Sequence, residues 1–294
     1  MPYLALLFNA CVWGLSWLPL RHLQQAGLHP LWATMVFFGV GAACVAVWRP
    51  GAFAGVLRQP ALWTLALAAG ATNAAFNWGV SVGEVVRVVL LFYLMPLWAV
   101  GLAWWLLGER VGAGAALRVL LALGGALLVL RPAEGGWPAF NGLADWLGLL
   151  GGMGFALTNV LLRRHGQVPA SERAMAMFLG GLVLPGVIGL MLGTQGLIPA
   201  WPAASVAWLP LAVALGGVFL LSNMALQYGA ARVPVHITSV VMLTEIVFAA
   251  GSAVIWGDEH LTSVTLVGGA LILAAALLAA REGGEAPPPR PQSH

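Results

Sequence analysis

The sequence contains no lysine, and charged residues of any kind are scarce. All 13 basic residues are arginine, 10 residues are acidic, and charged residues make up 8% of 294 residues against 61% hydrophobic. A soluble domain carries about 25% charged residues, so this composition excludes an ordinary globular protein. The net charge of +3 is spread thinly along the chain and does not indicate a nucleic-acid partner.

Cysteine is almost as rare, which limits the chemistry the chain can support. Cys11 and Cys44 both stand within apolar stretches, and we interpret them as packing residues, not as a disulfide or a metal site. The histidines lie mostly in loops, without a His-Glu-x-x-His motif or a Cys/His cluster. We therefore expect no catalytic residues, no metal and no cofactor; an intramembrane enzyme is a distant alternative.

The sequence is rich in long apolar runs, and each is near the ~20 residues that a membrane helix needs. Short breaks with turn chemistry, such as His29-Pro30 and Arg131-Pro132, separate them. The pattern predicts an all-α polytopic membrane protein with ten transmembrane helices, at about 3–20, 31–48, 61–81, 86–106, 112–130, 143–162, 174–193, 205–228, 235–256 and 263–280. The Pro-rich stretch 282–294 predicts a disordered cytoplasmic tail.

The arginines predict the orientation of these spans. With the N-terminus inside, Arg21, Arg87 and Arg131 fall on the outer side and the other ten on the inner side. Such a bias is typical of the positive-inside rule. We expect a multi-pass protein of the cell (inner) membrane with both termini cytoplasmic.

The chain repeats itself at a distance of 150 residues. Residues 73–109 align without a gap on residues 223–259, with eight identities in 37 positions, including Asn73 with Asn223 and Glu109 with Glu259. Five spans in each half would insert the second half upside down relative to the first. We predict a 5+5 inverted repeat of residues 1–140 and 141–281.

Polar residues inside these spans are candidates for a central cavity, because burying them in lipid is costly. Glu245 is the acidic residue deepest in a span; it is either a cavity carboxylate that meets a substrate amine or a proton, or a group that holds neighbouring helices together. The amides form i, i+4 pairs that suit a zwitterion, or else interhelical hydrogen bonds. The amide candidates are Asn73, Asn77, Asn159, Asn223 and Gln227.

Aromatic residues deep in the spans complete the predicted substrate site, either by stacking on a ring or by holding a cation. Plain packing is the alternative for each of them. These candidates, with one methionine, are Trp17, Trp78, Phe92, Tyr93, Trp98, Phe155, Tyr228 and Met242. Pro96 and Pro185 are predicted hinges. Gly108-Glu109 and Gly257-Asp258-Glu259, at the C-terminal ends of the fourth and ninth spans, are predicted to be structural caps that face the next helix.

Several short motifs resemble the drug/metabolite transporter (DMT) superfamily, EamA type. They are Asn9-Ala10 with Trp13-Gly14 and Ser16, Leu-x-Pro-Leu ahead of Leu-Leu-Gly-Glu in the fourth span, and an ending at Gly257, Glu259, Leu261 and Thr262. The resemblance implies a cavity lined by spans one, three, four, six, eight and nine, in a family whose members mostly export amino acids and related metabolites. The aromatic residues are most similar to those of bacterial aromatic amino acid exporters (YddG-like). Ile246 departs from the pattern, which often has proline there.

From these observations we expect an exporter of amino acids, both aromatic and other neutral ones, and of related metabolites. It would work by alternating access around a central cavity, as a monomer or weak homodimer whose partners are small-molecule substrates and the lipid bilayer. An exporter of quaternary-ammonium drugs or lipid-like compounds is the alternative.

Overall fold

A computed structural model describes residues 1–107, 112–132, 136–202 and 207–282, which are almost entirely helical. Within these ranges there are fourteen α-helices and no β-strand. They are α1 (Pro2–Leu15), α2 (Trp17–Gln25), α3 (Pro30–Trp48), α4 (Gly51–Arg58), α5 (Ala61–Val82), α6 (Val85–Phe92), α7 (Met95–Leu107), α8 (Ala113–Val129), α9 (Leu143–Arg164), α10 (Ala170–Thr194), α11 (Leu209–Ala230), α12 (Val235–Met242), α13 (Thr244–Trp256) and α14 (Ser263–Glu282).

The long helices coincide with the predicted apolar runs, and the chain is a multi-pass membrane protein. Seven stretches in the described ranges are long and apolar enough to cross a bilayer, and Ala113–Val129 and Val240–Trp256 are apolar but shorter. Helix α5 is long enough but carries Asn73 and Asn77, and it is not among the seven. The count of ten spans stays a prediction. Apart from Glu282, the predicted tail lies outside the described residues.

Three of the spanning segments are interrupted near their middle. The interruptions fall at Ser16, at Tyr93–Leu94 and at Leu243, and each contains a tight turn in which an N–H group bonds the carbonyl three residues earlier. Pro96 explains the second interruption, because it has no N–H to donate to Phe92 O. Helices α6 and α12, which precede the second and third interruptions, are related by the 150-residue shift at both of their ends.

Helices of the two predicted halves pack against each other in matching pairs. Helix α1 lies antiparallel to α11, with Leu6 against Gly229 and Asn9 bonded to Ser222. Helix α5 lies antiparallel to α9, and α3 and α8 pack on α10 and α14. Helix α5 runs towards the end of the bundle where α6 begins, whereas α11, its counterpart in the predicted repeat, runs towards Pro2 at the opposite end. These opposite directions are what an inverted repeat requires; the 5+5 arrangement stays a prediction.

Glycine allows the closest approaches at the interrupted segments. A Cβ atom on Gly14 of α1 would lie 2.6 Å from Glu245 O of α13. A Cβ atom on Gly152 of α9 would collide with Phe92 O, the carbonyl that Pro96 leaves without its helical partner. Glycine at these two positions therefore brings α1 and α9 directly onto the backbone of the interrupted helices.

Candidate functional site

A row of aromatic rings runs through the middle of the bundle. Neighbouring centroids lie 4.7 to 6.1 Å apart, within the range in which ring pairs attract each other. This aromatic row draws on α11, α1, α5, α6 and α9 and ends at the interruption between α6 and α7. Its members, in order, are Phe219, Trp13, Phe76 and Phe92, with Phe155 and Tyr93 both beside Phe92.

Glu245 stands at the end of this row and is paired with a tyrosine from the interrupted segment that α6 and α7 form. The carboxylate lies in the first turn of α13 and is 8% exposed, and the Tyr93 hydroxyl, which is buried, donates a hydrogen bond to Glu245 Oε2 at 3.1 Å. Met242 O lies 3.5 Å from the same hydroxyl, whose single proton is donated to the carboxylate. The structure thus brings Tyr93, Met242 and Glu245 together, where two interrupted helices pack against each other.

The amides do not join this cluster by hydrogen bonds. Asn77 is fully buried and donates to Thr34 Oγ1 of α3 at 3.0 Å, which is the interhelical bond foreseen as the alternative. Asn73 and Asn159 each donate to a carbonyl of their own helix. Gln227 donates to Asn223 Oδ1 at 2.7 Å, so this i, i+4 pair bonds to itself.

The remaining candidates lie around the cluster and towards both ends of the bundle. Trp17 is buried and donates to Ser252 Oγ at 2.9 Å, which joins α2 to α13. Trp78 packs edge-on against His29, and Tyr228 is exposed beneath the Arg232 guanidinium. The Trp98 indole N–H is buried, and it has no hydrogen-bond partner among the residues that the structure describes. As for the hinges, Pro96 opens α7, and Pro185 lies inside α10, which runs through it without interruption.

A large charged vestibule opens at the end of the bundle where α5 ends and α6 begins. Its volume is about 940 Å³, and a smaller cavity of about 440 Å³ adjoins it. The vestibule is lined by all three arginines that the sequence assigns to the outer side, Arg21, Arg87 and Arg131, together with Glu84, Asp258 and Glu259. Of the predicted substrate-binding residues, Trp78 lines the smaller cavity and none lines the vestibule.

An ionic lock closes the floor of this vestibule. Glu259 accepts hydrogen bonds from Val85 N at 2.6 Å and Val86 N at 3.1 Å, so its carboxylate caps the N-terminus of α6. Arg21 lies 3.7 Å from Glu259 and donates to Gly83 O at 2.6 Å. Glu259 thus acts as a helix cap, and the helix it caps is α6, far away in the sequence, instead of the helix that follows it. Glu109 lies outside the described residues.

A second ionic contact stands beside the lock. Arg87 and Asp145 form a two-pronged salt bridge, with Nε to Oδ1 at 2.7 Å and Nη2 to Oδ2 at 2.8 Å, and both side chains are nearly buried. Arg87 also donates to Val129 O and Ala139 O. One guanidinium thus ties α6 to the end of α8 and to the start of α9.

Packed side chains separate the vestibule from the Tyr93–Glu245 pair. Val86 lines the vestibule, and Tyr93 is seven residues further along, about 10 Å by the rise of a helix. Leu20, Val89 and Ala253 belong to the core between them. The vestibule does not reach the carboxylate in this conformation.

His29, at the same end, is the N-cap of α3. It is buried, and its Nδ1 accepts a hydrogen bond from Leu31 N at 3.3 Å. Burial disfavours the imidazolium and lowers the pKa of His29 to about 4. The ring is therefore neutral at physiological pH.

Sequence reasoning missed three members of the aromatic row and one motif. Trp13 stands in the motif that carries the family resemblance, and Phe76 directly precedes Asn77, but nothing in the sequence marks Phe219. Residues 79–83 match the Gly-x-Ser-x-Gly pattern of hydrolases. That chemistry needs the serine on a strand-to-helix turn, whereas Ser81 lies inside α5 and bonds to Asn77 O in the same helix.

Three comparisons relate the chain to known proteins. The model of the EamA-like transporter family matches residues 1–131 and 142–281. An uncharacterized transporter of Archaeoglobus fulgidus is 29% identical over 216 residues, which are 72% of this chain and 73% of that protein. A crystal structure at 21% identity aligns with 97% of this chain and 99% of its own, with a TM-score of 0.60, and it supports the fold alone.

Proposed function

The chain belongs to the EamA-like transporter family of membrane transporters, and on that premise we propose that it exports neutral amino acids, aromatic ones included, by alternating access. The observation that carries the proposal is the buried Glu245 carboxylate at the end of the aromatic row. One hydroxyl donates to it, and within the described residues no ion pair neutralises it. A substrate ammonium group would supply the positive charge that neutralises the carboxylate.

The surroundings of Glu245 suit the other parts of an amino acid. Helix α7 begins two residues after Tyr93, so the positive end of its dipole lies where a substrate carboxylate could meet it. The aromatic row offers ring faces and edges to an aromatic or apolar side chain. Amine, carboxylate and side chain would thus each meet a complementary group near the two interruptions.

The vestibule lock supplies one gate of the proposed cycle. With Glu259 on the N-terminus of α6, the path from the vestibule to Glu245 is closed. Substrate release to that side requires the lock to open while the opposite end closes. The 5+5 inverted repeat would make the two movements equivalent.

Counterflow in proteoliposomes tests the substrate. Vesicles loaded with unlabelled phenylalanine should accumulate labelled phenylalanine, and labelled leucine more slowly. Glu245→Gln keeps the shape but removes the charge that pairs with the amine, and the rate should fall about 10- to 100-fold. Tyr93→Phe should have a smaller effect, because it removes only the hydroxyl that orients the carboxylate.

Glu84→Gln is the matched control, because Glu84 is exposed in the vestibule and its side chain does not cap α6. It should transport like the wild type. Phenylalanine counterflow that survives Glu245→Gln would remove the carboxylate from the mechanism. Exchange of a quaternary-ammonium dication without any amino acid exchange would favour the drug exporter instead.

A further inference from the structure

Helix α4 forms a short amphipathic surface at the end of the bundle opposite the vestibule. Ala52 and Val56 are buried against a small core shared by α3, α5, α9 and α10. The outward residues are large and apolar: Phe53 and Leu57 are exposed, and Trp48 and Trp63 beside them are 59% and 54% exposed. The α4 surface is defined here by Trp48, Arg49, Phe53, Arg58 and Trp63.

Two exposed arginines flank this surface. Arg49 follows the last residue of α3 and Arg58 is the last residue of α4; both are exposed. Among the described residues neither guanidinium has a salt bridge or a side-chain hydrogen bond. Glu172, the acid that packs under α4 at Gly55, accepts from Gln59 Nε2 at 2.6 Å instead. The surface therefore carries positive charge that this part of the protein does not neutralise.

The aromatic rings place these charges at the level of lipid headgroups. The Trp63 indole N–H donates to Val56 O at 3.1 Å, which holds its ring against α4 while a large part stays exposed. Tryptophan at the ends of apolar spans, with arginine beside it, is typical of the bilayer interface. A buried side, an apolar outer side and arginine at the margins are typical of a short helix that lies along the membrane plane.

We propose that the α4 surface binds the headgroups of anionic phospholipids, with Arg49 and Arg58 on the phosphates and Trp48, Phe53 and Trp63 against the acyl chains. The proposal does not depend on which substrate is transported. Arg49 and Arg58 flank the two ends of α4, whose 8 residues span about 12 Å, so we expect them to engage neighbouring lipids and not a single headgroup. A bilayer leaflet rich in anionic lipid attracts basic side chains at its surface, and this end of the bundle would face it.

Spin-labelled lipids measure this preference on the full-length protein. The protein is reconstituted in phosphatidylcholine bilayers, and the motionally restricted fraction is compared for spin-labelled phosphatidylglycerol and phosphatidylcholine. The wild type should restrict more phosphatidylglycerol. Each arginine at the surface contributes about a fivefold preference, so Arg49→Gln with Arg58→Gln should reduce the ratio several-fold. High salt should reduce it in the wild type.

Two further variants separate charge from folding. Arg49→Lys with Arg58→Lys should keep most of the preference for phosphatidylglycerol, because the charge stays. Arg131 is exposed at the opposite end of the bundle, so Arg131→Gln should keep all of this preference. An unchanged ratio in the double glutamine variant, or an equal loss with Arg131→Gln, would overturn the proposal. So would full displacement of the lipid by millimolar glycerol phosphate, because the surface would then be a site for soluble anions. Phenylalanine counterflow on the same samples reports the transport proposal separately.

Discussion

The arginines at the floor of the vestibule and those beside α4 are placed in opposite ways. At the vestibule end, Arg21 and Arg87 are bound to acidic side chains and to backbone carbonyls. At the α4 end, Arg49 and Arg58 are exposed, and the described residues offer them no salt bridge. The same residue type thus joins helices at the floor of the vestibule and remains open to the surroundings beside α4.

This difference indicates that the two ends have different functions. A guanidinium that binds carboxylates and carbonyls of several helices fixes their relative positions, so movement there must break specific contacts. An exposed guanidinium restrains no other helix and is available to anionic lipid. The vestibule end therefore has the character of a closed gate, and the α4 end that of an anchor in the membrane surface.

The largest difference between the ends should come from the buried salt bridge. Arg87→Gln leaves Asp145 buried without its counter-charge, and removing one partner of a buried pair costs about 3–5 kcal/mol. We expect this loss in the free energy of unfolding, measured by denaturant titration in detergent micelles. The double variant Arg87→Gln with Asp145→Asn should recover part of it, because no unpaired charge remains. A loss below about 1 kcal/mol would show that the contact does not hold the vestibule end together.

Acid should weaken the vestibule end through His29. Burial lowers the pKa of His29 in the folded protein to about 4, whereas its pKa in the unfolded chain is near 6.5. Between these two pH values, therefore, the unfolded chain binds a proton at His29 and the folded protein does not. Stability from the neutral ring is complete above pH 6.5 and is lost as the pH falls towards 4, by up to about 3 kcal/mol.

The measurement is the unfolding free energy in micelles between pH 7 and pH 4. His29→Asn preserves the N-cap acceptor and should flatten the pH dependence. His22→Asn, at an exposed position of α2, should leave it unchanged. An equal slope in the wild type and in His29→Asn would assign the acid sensitivity to other groups.

Opening the lock should have a moderate effect on stability and a clear effect on access. Glu259→Gln weakens two charge-assisted hydrogen bonds to the N-terminus of α6, at a cost of about 1–2 kcal/mol. In a background with Cys11→Ala and Cys44→Ala, a cysteine introduced by Ala253→Cys reports access from the vestibule, because Ala253 is fully buried. Its labelling by a membrane-impermeant maleimide should increase several-fold with Glu259→Gln.

Glu84→Gln provides the comparison for this experiment. Glu84 precedes α6 and lines the same vestibule, but its side chain forms no capping hydrogen bond. The Glu84→Gln variant removes one negative charge from the same cavity, as Glu259→Gln does. If labelling increased equally in both variants, the increase would reflect the local electrostatic potential and not the lock.

The sequence was informative where a pattern is local and misleading where a partner is distant. Apolar runs and turn residues gave the bounds of most helices, because a helix in lipid must satisfy its backbone within its own segment. Pro96 marked an interruption through its missing N–H. The partner of Glu259 was not predictable, because Val85 is 174 residues away and only the packed bundle brings them together.

The candidate site was predictable in part for the same reason. Glu245 and Tyr93 were chosen for their chemistry, and the structure pairs them. Asn77 was chosen on the same grounds, yet it bonds to Thr34. The sequence shows only that an amide lies within a span, and this is the same whether the amide faces a cavity or a neighbouring helix. Phe219 carries no signal at all, because a phenylalanine in an apolar run is the expected residue.

The smallest effect should come from the α4 arginines. Arg49→Gln with Arg58→Gln removes two charges that restrain no other helix, and exposed charges contribute about 0–1 kcal/mol. We expect the free energy of unfolding in neutral detergent to change by no more than about 0.5 kcal/mol, against several for Arg87→Gln. In micelles with phosphatidylglycerol, the wild type should gain stability over the variant, because lipid that binds only the folded state stabilises it. If the variant were destabilised equally with and without anionic lipid, these arginines would be structural after all, and the contrast between the two ends would disappear.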